Sequence, residues 1–198
     1  MEEDTEALTD YADDGVDLTL IRWFLSLTPA ERLAYLESDN SHAVLRALHE
    51  GGVKFVLVGG VAAGVHGAPS QTLDTGIVTA QDDENLEKLL RVLESVDAIF
   101  RIDPARRLKP EMGHLRSDIN KNLLTRFGPL DVLAELGRGR RYGDLLPHTV
   151  EMDVGEGVHV RVLDLETIIA IKEELRSEKD LAVLPLLRRT LQEKRRLP

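Results

Sequence analysis

Four apolar residues in a row, Phe55 to Val58, stand between two glycine pairs, Gly51-Gly52 and Gly59-Gly60. An apolar run this short, closed off by glycine, predicts a buried strand over 53–58. The same reading predicts strands over Leu73–Thr79, over Ala98–Ile102, and over Leu130–Leu136 after a Gly128-Pro129 turn. Thr149–Val154 and Val158–Val162 pair across Gly155-Glu156-Gly157. Elsewhere the apolar spacing lengthens to helical: Leu86, Leu89, Leu90 and Leu93 place one face of a helix over 82–96. Leu18 to Leu25 is a second helical run. Thr28-Pro29-Ala30-Glu31 starts a third, with Thr28 as N-cap, Pro29 in the first turn and Glu31 closing a capping box. A fourth covers roughly His42 to Glu50 and stops at Gly51-Gly52. Asp164 caps a helix running to about Arg176, and a last helix begins near Glu178. The apolar positions of 115–127 (Ile119, Leu123 and Leu124) fit neither period alone.

These elements predict a mixed α/β chain, its strands too unevenly spaced for a barrel of repeating βα units. Residues 1–15 read as a disordered acidic tail and 16–50 as an N-terminal helical appendage. Residues 51–150 read as the core, and 151–198 as a β-hairpin with C-terminal helices. The first 14 residues hold seven acids and no base. An acidic start is not a secretory signal, no apolar run reaches the ~20 residues of a membrane helix, and there is no cysteine. The expectation is a cytoplasmic protein with no membrane partner, no disulfide framework and no thiolate site. A net charge of -10 argues against broad nucleic-acid binding. Basic residues cluster locally, at Arg101, Arg106, Arg107 and Lys109, at Arg138, Arg140 and Arg141, and over 188–196. They read as solvated surface or as a local face for a triphosphate or RNA.

The chemistry centres on Gly59-Gly60 and the acids that follow. Glycine lets a backbone approach a ligand closely, and a helix starting there aims N–H groups at it, which suits phosphate oxygens. Thirteen residues separate Gly60 from Asp74, at the start of the second strand. Ser70 and Thr72 lie in the turn between them, as turn residues or as hydroxyls for a phosphate. Asp131 begins another strand among apolar neighbours. His66 reads as a packing or capping residue, and the remaining histidines have no metal-ligand spacing.

The stretch from Phe55 to Val78, FVLVGGVAAGVHGAPSQTLDTGIV, resembles the nucleotidyltransferase superfamily related to DNA polymerase β. Its signature is a hydrophobic residue, Gly, Gly or Ser, a gap of nine to thirteen, then acid–hydrophobic–acid–hydrophobic. Val58-Gly59-Gly60 and Asp74 match it, and Phe127 to Leu133 resembles the strand of the third acid. GVKFVLVGGVAAGVHGAP, with Asp164-Leu165-Glu166, Lys172 and Lys179-Asp180 later, is similar to bacterial minimal nucleotidyltransferases and abortive-infection toxins, over roughly residues 50–185. The resemblance implies a small mixed sheet flanked by helices, extended by helices at both ends. It implies transfer of a nucleoside monophosphate from an NTP to a hydroxyl acceptor (RNA, protein or a small molecule) with Mg2+ or Mn2+. Asp74 would bind metal, Asp131 would bind metal or act as base, Gly59, Gly60 and Ser70 would hold phosphates, and Lys172 would reach the nucleotide.

Gly76 stands where that signature places its second acid. A carboxylate there would share a strand face with Asp74. Its loss leaves three readings: a natural inactive relative, an introduced substitution, or compensation by Glu111, Glu151 or Asp153. The rival function is a noncatalytic binding module of the same fold, such as a toxin–antitoxin component. In it the acidic tail, or the helices carrying Trp23 and Phe24, would engage an antitoxin or other partner protein. A structural protein with a coincidental Gly-Gly turn is the third reading.

Overall fold

The computed structural model describes residues 10–36, 39–70, 72 and 74–197. The chain opens with three helices, α1 (Leu18–Ser26), α2 (Pro29–Tyr35) and α3 (Asp39–Glu50). Their starts follow from side-chain caps. Asp17 accepts from the Leu20 N–H, and Thr28 and Glu31 form the reciprocal box expected of them. β1 (Phe55–Val58) is buried along its whole length and passes without a loop into α4 (Gly59–Val65). Then come β2 (Thr75–Thr79), α5 (Asp83–Ser95), β3 (Ile99–Phe100), the short α6 (Met112–Leu115), β4 (Lys121–Thr125) and β5 (Gly128–Leu133). The last third holds the short α7 (Tyr142–Leu145), the hairpin β6 (Thr149–Asp153) and β7 (His159–Leu163), α8 (Leu165–Leu175) and α9 (Glu178–Arg196). Asp164 caps α8 as expected, and Ser177 caps α9.

The ambiguous stretch 115–127 divides between the end of α6 and strand β4. Lys121, Leu123 and Thr125 are buried with period two, and the strand is held by its partner β5. The turn between them is Arg126-Phe127, with Gly128-Pro129 already inside β5. Thr125 closes it: its hydroxyl accepts from the Phe127 N–H at 3.1 Å and donates to the Gly128 carbonyl at 2.9 Å.

Among the described residues the strands form one seven-stranded mixed sheet in the order β3-β4-β5-β2-β1-β7-β6. β2 runs antiparallel to β1 and parallel to β5, and β7 runs parallel to β1. The hairpin of the last third therefore extends the same sheet, beside β1. One continuous apolar core runs through β1, β2, β5, β7, α4, α5 and α8. α4 packs on β1 and β2 and against α2 and α8.

The N-terminal helices are fastened by Arg32, which is 9% exposed. Its guanidinium donates to the Phe24 and Leu25 carbonyls at the end of α1 and to the Val65 carbonyl at the end of α4. Three carbonyls at the ends of two helices thus share one cation, the Phe24 carbonyl also accepting from the Leu27 N–H at 3.2 Å. Of the expected acidic tail, residues 1–9 lie outside the described residues. Residues 10–15 are built into a turn: Asp10 accepts from the Leu18 N–H, Tyr11 pairs with Asp17, and Asp14 pairs with Arg189 on α9 at 3.1 Å. No described helix is long and apolar enough to cross a membrane.

Candidate functional site

Strand register alone assembles the site. Val58 stands opposite Gly76, Gly76 opposite Asp131, and Asp131 opposite Asn122. Asn122 accepts at 2.9 Å from the backbone N–H of Arg101, the residue after β3. A lateral row therefore crosses four strands and ends at Arg101 just past β3, and paired residues in such a row present their side chains to one face. Asp74, two residues before Gly76, belongs to that face as well.

At this row lies a cleft of about 440 Å³. Gly59, Gly60, Ser70, Thr72, Asp74, Gly76 and Asp131 line it, together with Lys172 from α8, the α9 N-cap Ser177, and Lys179 and Asp180 from the first turn of α9. The sequence-predicted residues Gly59, Gly60, Ser70, Asp74, Asp131 and Lys172 thus come together, from segments more than a hundred residues apart. The backbone favours glycine at position 59, and the packing of a neighbouring side chain favours it at position 60. Gly59 has φ +74°, and a Cβ on Gly60 would come within 2.5 Å of the Thr72 hydroxyl. α4 has no side-chain cap at this end. Gly76 differs from both: a Cβ there would meet Val58 at ordinary contact distance, 3.4 Å, so an acid fits the backbone at this position.

Charge in the cleft is tightly paired. Lys172 donates to Asp180 at 2.7 Å, with both side chains more than four-fifths covered. Burial pushes the Asp180 carboxyl up, but hydrogen bonds from Lys172 and Ser177 outweigh it and hold the group below its ordinary value. Asp131 moves the other way. Burial raises it, the Asp74 charge adds to the rise, and Arg101 and Lys179 oppose it. Lys179 is exposed at the rim.

Arg101 is the site residue that sequence reading missed. It was grouped with a surface cluster, yet its Nη1 donates to Asp74 Oδ1 at 2.8 Å and its Nη2 to Asp131 Oδ1 at 3.1 Å. The available signal was its place directly after the apolar Ala98-Ile99-Phe100, where a strand end carries a cation to the sheet rim.

The donor set does not fit a divalent ion as arranged. Both carboxylates are paired with the guanidinium through Oδ1, position 76 supplies no third acid, and among the described residues no three His, Cys, Asp or Glu side chains converge. None of the three acids considered as replacements lines the cleft. Glu151 and Asp153 sit on β6, at the far edge of the sheet, and Glu111 precedes α6.

His66 is structural, buried at 1% exposure. Its Nε2 donates to the Leu163 carbonyl at 2.9 Å and its Nδ1 accepts from Lys194 at 2.9 Å. Two of the basic clusters are largely neutralised. Arg138 and Arg140 share Glu174, Arg141 meets Asp118, and Arg188, Arg195 and Arg196 meet Glu173, Glu166 and Glu193.

No protein-family model matches the chain, and no curated protein matches it.

Proposed function

We propose that the cleft is a nucleotide site of the nucleotidyltransferase kind, and that the chain binds a nucleoside triphosphate there. One observation carries the reading: Asp74 and Asp131, 57 positions apart in sequence, stand on one sheet face at a cleft walled by Gly59-Gly60. Gly59 and Gly60 give the phosphates access to bare backbone, with the Ser70 and Thr72 hydroxyls beside them. Lys172 and Lys179 bring positive charge from α8 and α9. The resemblance to the superfamily supplies the reaction, transfer of a nucleoside monophosphate to a hydroxyl. Asp131, raised by burial, is the group suited to take the proton of the acceptor hydroxyl. Without an acid at position 76, and with both acids paired to Arg101, turnover in this chain is slow and binding is its main activity.

The reading is supported if each of the four NTPs is added at millimolar concentration, in buffer with and without magnesium, and at least one raises the melting midpoint by mass action. The rise is lost in Gly60→Ala, where the new methyl clashes with the Thr72 side chain at the cleft wall. An unchanged midpoint with every NTP contradicts the reading.

A partner-binding role for the N-terminal helices has its own observation. Trp23 and Tyr35 are exposed at 43% and 57% and stack edge to face at 4.9 Å. An exposed aromatic pair suits a protein partner such as an antitoxin. Co-purification of a partner that Trp23→Ala releases, with no NTP turnover, would favour this second role.

A further inference from the structure

Arg101 sits where a metal ion would have to go. Two arms of one planar guanidinium reach Asp74 Oδ1 and Asp131 Oδ1, at 2.8 and 3.1 Å. The position is fixed by the sheet: the Arg101 N–H is bonded to Asn122, which is itself paired with Asp131. The side chain is two-thirds covered, at 32% exposure. A divalent ion bridging the two acids at about 2.0–2.6 Å would share with the guanidinium the negative charge of the same two carboxylates, so the two cations compete for the site. The guanidinium keeps its charge at any biological pH, so acidity does not lift the competition.

We propose that Arg101 is the resident cation of this acid pair, holding Asp74 and Asp131 in place of a divalent ion and keeping metal out. The nucleotide is taken from the reading above, but the competition between cations needs no nucleotide.

The test is a titration with Mn2+ alone, free ion read by electron paramagnetic resonance, at pH 7.5 and low salt with no NTP present. The intact chain binds Mn2+ no tighter than millimolar, and Arg101→Gln gains about tenfold or more, since affinity follows the oxygen charge left to the ion. That gain vanishes when Asp131→Asn is added and grows when Gly76→Asp is added, position 76 having room for the side chain to start. Melting curves in the same buffer confirm that each variant is folded. If Arg101→Gln does not fold, Arg101→Lys, which keeps the charge but cannot span both acids, shows a smaller gain. Equal Mn2+ affinity in the intact chain and the folded variant overturns the proposal, as does micromolar binding by the intact chain. A Mn2+ gain without any NTP-dependent melting shift keeps this inference and removes the nucleotide reading, and the converse result does the reverse.

Discussion

At the scale of single residues, three positions carry measurable consequences. Gly59→Ala places a Cβ at φ +74° with open space around it, so its whole effect is backbone strain, about 1–2 kcal/mol. A chain of this size should melt about 2–8 °C lower. Gly60→Ala adds a steric clash with Thr72 to an otherwise ordinary backbone, costing about 1–3 kcal/mol, and it alone abolishes the NTP-dependent shift. His66 governs a pH effect. Burial, with the Lys194 charge, pushes its pKa from 6.5 down to about 4, while the Leu163 carbonyl, Asp164 and Glu166 oppose the drop. Between those values the unfolded chain binds a proton that the folded chain does not. The contribution is therefore full above pH 6.5 and is lost as pH falls toward 4, by about 3 kcal/mol in all. Urea midpoints at pH 7.5, 5.5 and 4.5 should fall less steeply in His66→Gln, which can keep both hydrogen bonds.

At the scale of elements, local chemistry was legible and lateral pairing was not. Thr28 and Glu31, Asp164, and the glycines after β1 could be read directly, because caps and tight turns are decided within four residues. The stretch 115–127 could not, since β4 is a strand only through its register with β5. Arg32 was equally silent. Its role depends on the ends of two other helices meeting at one point, which no spacing announces. Arg32→Leu should leave the Phe24, Leu25 and Val65 carbonyls without this donor and destabilise by about 3 kcal/mol, read as a lower urea midpoint. The intact sheet should persist in that variant, with loss of order confined to α1 and α2 in hydrogen exchange.

At the scale of the whole molecule, sheet order decides the site. Gly59, Gly60, Asp74 and Asp131 were recognisable one by one, and the sheet placed them at one cleft. Arg101 was legible as a cation at a strand end, but its partners were not, because they lie 27 and 30 positions away and it meets them only across β4 and β5. The acidic charge of the chain is also spatially organised, with many surface arginines paired to acids. A second groove, between α3 and α5, is lined by Arg91 and Arg126 together with Glu50 and with Arg46 and Lys88, which pair with Glu156 and Glu84. It is the natural competitor for any phosphate ligand and lies among residues distant from Asp74. Mapping amide shifts on adding each NTP to the isotope-labelled chain separates the two directly. A nucleotide held at the Gly59-Gly60 cleft gives perturbations that saturate and centre on Gly59, Gly60, Thr72, Asp74 and Lys179. Perturbations centred on Arg91 and Arg126, or none at millimolar NTP, would contradict the nucleotide reading.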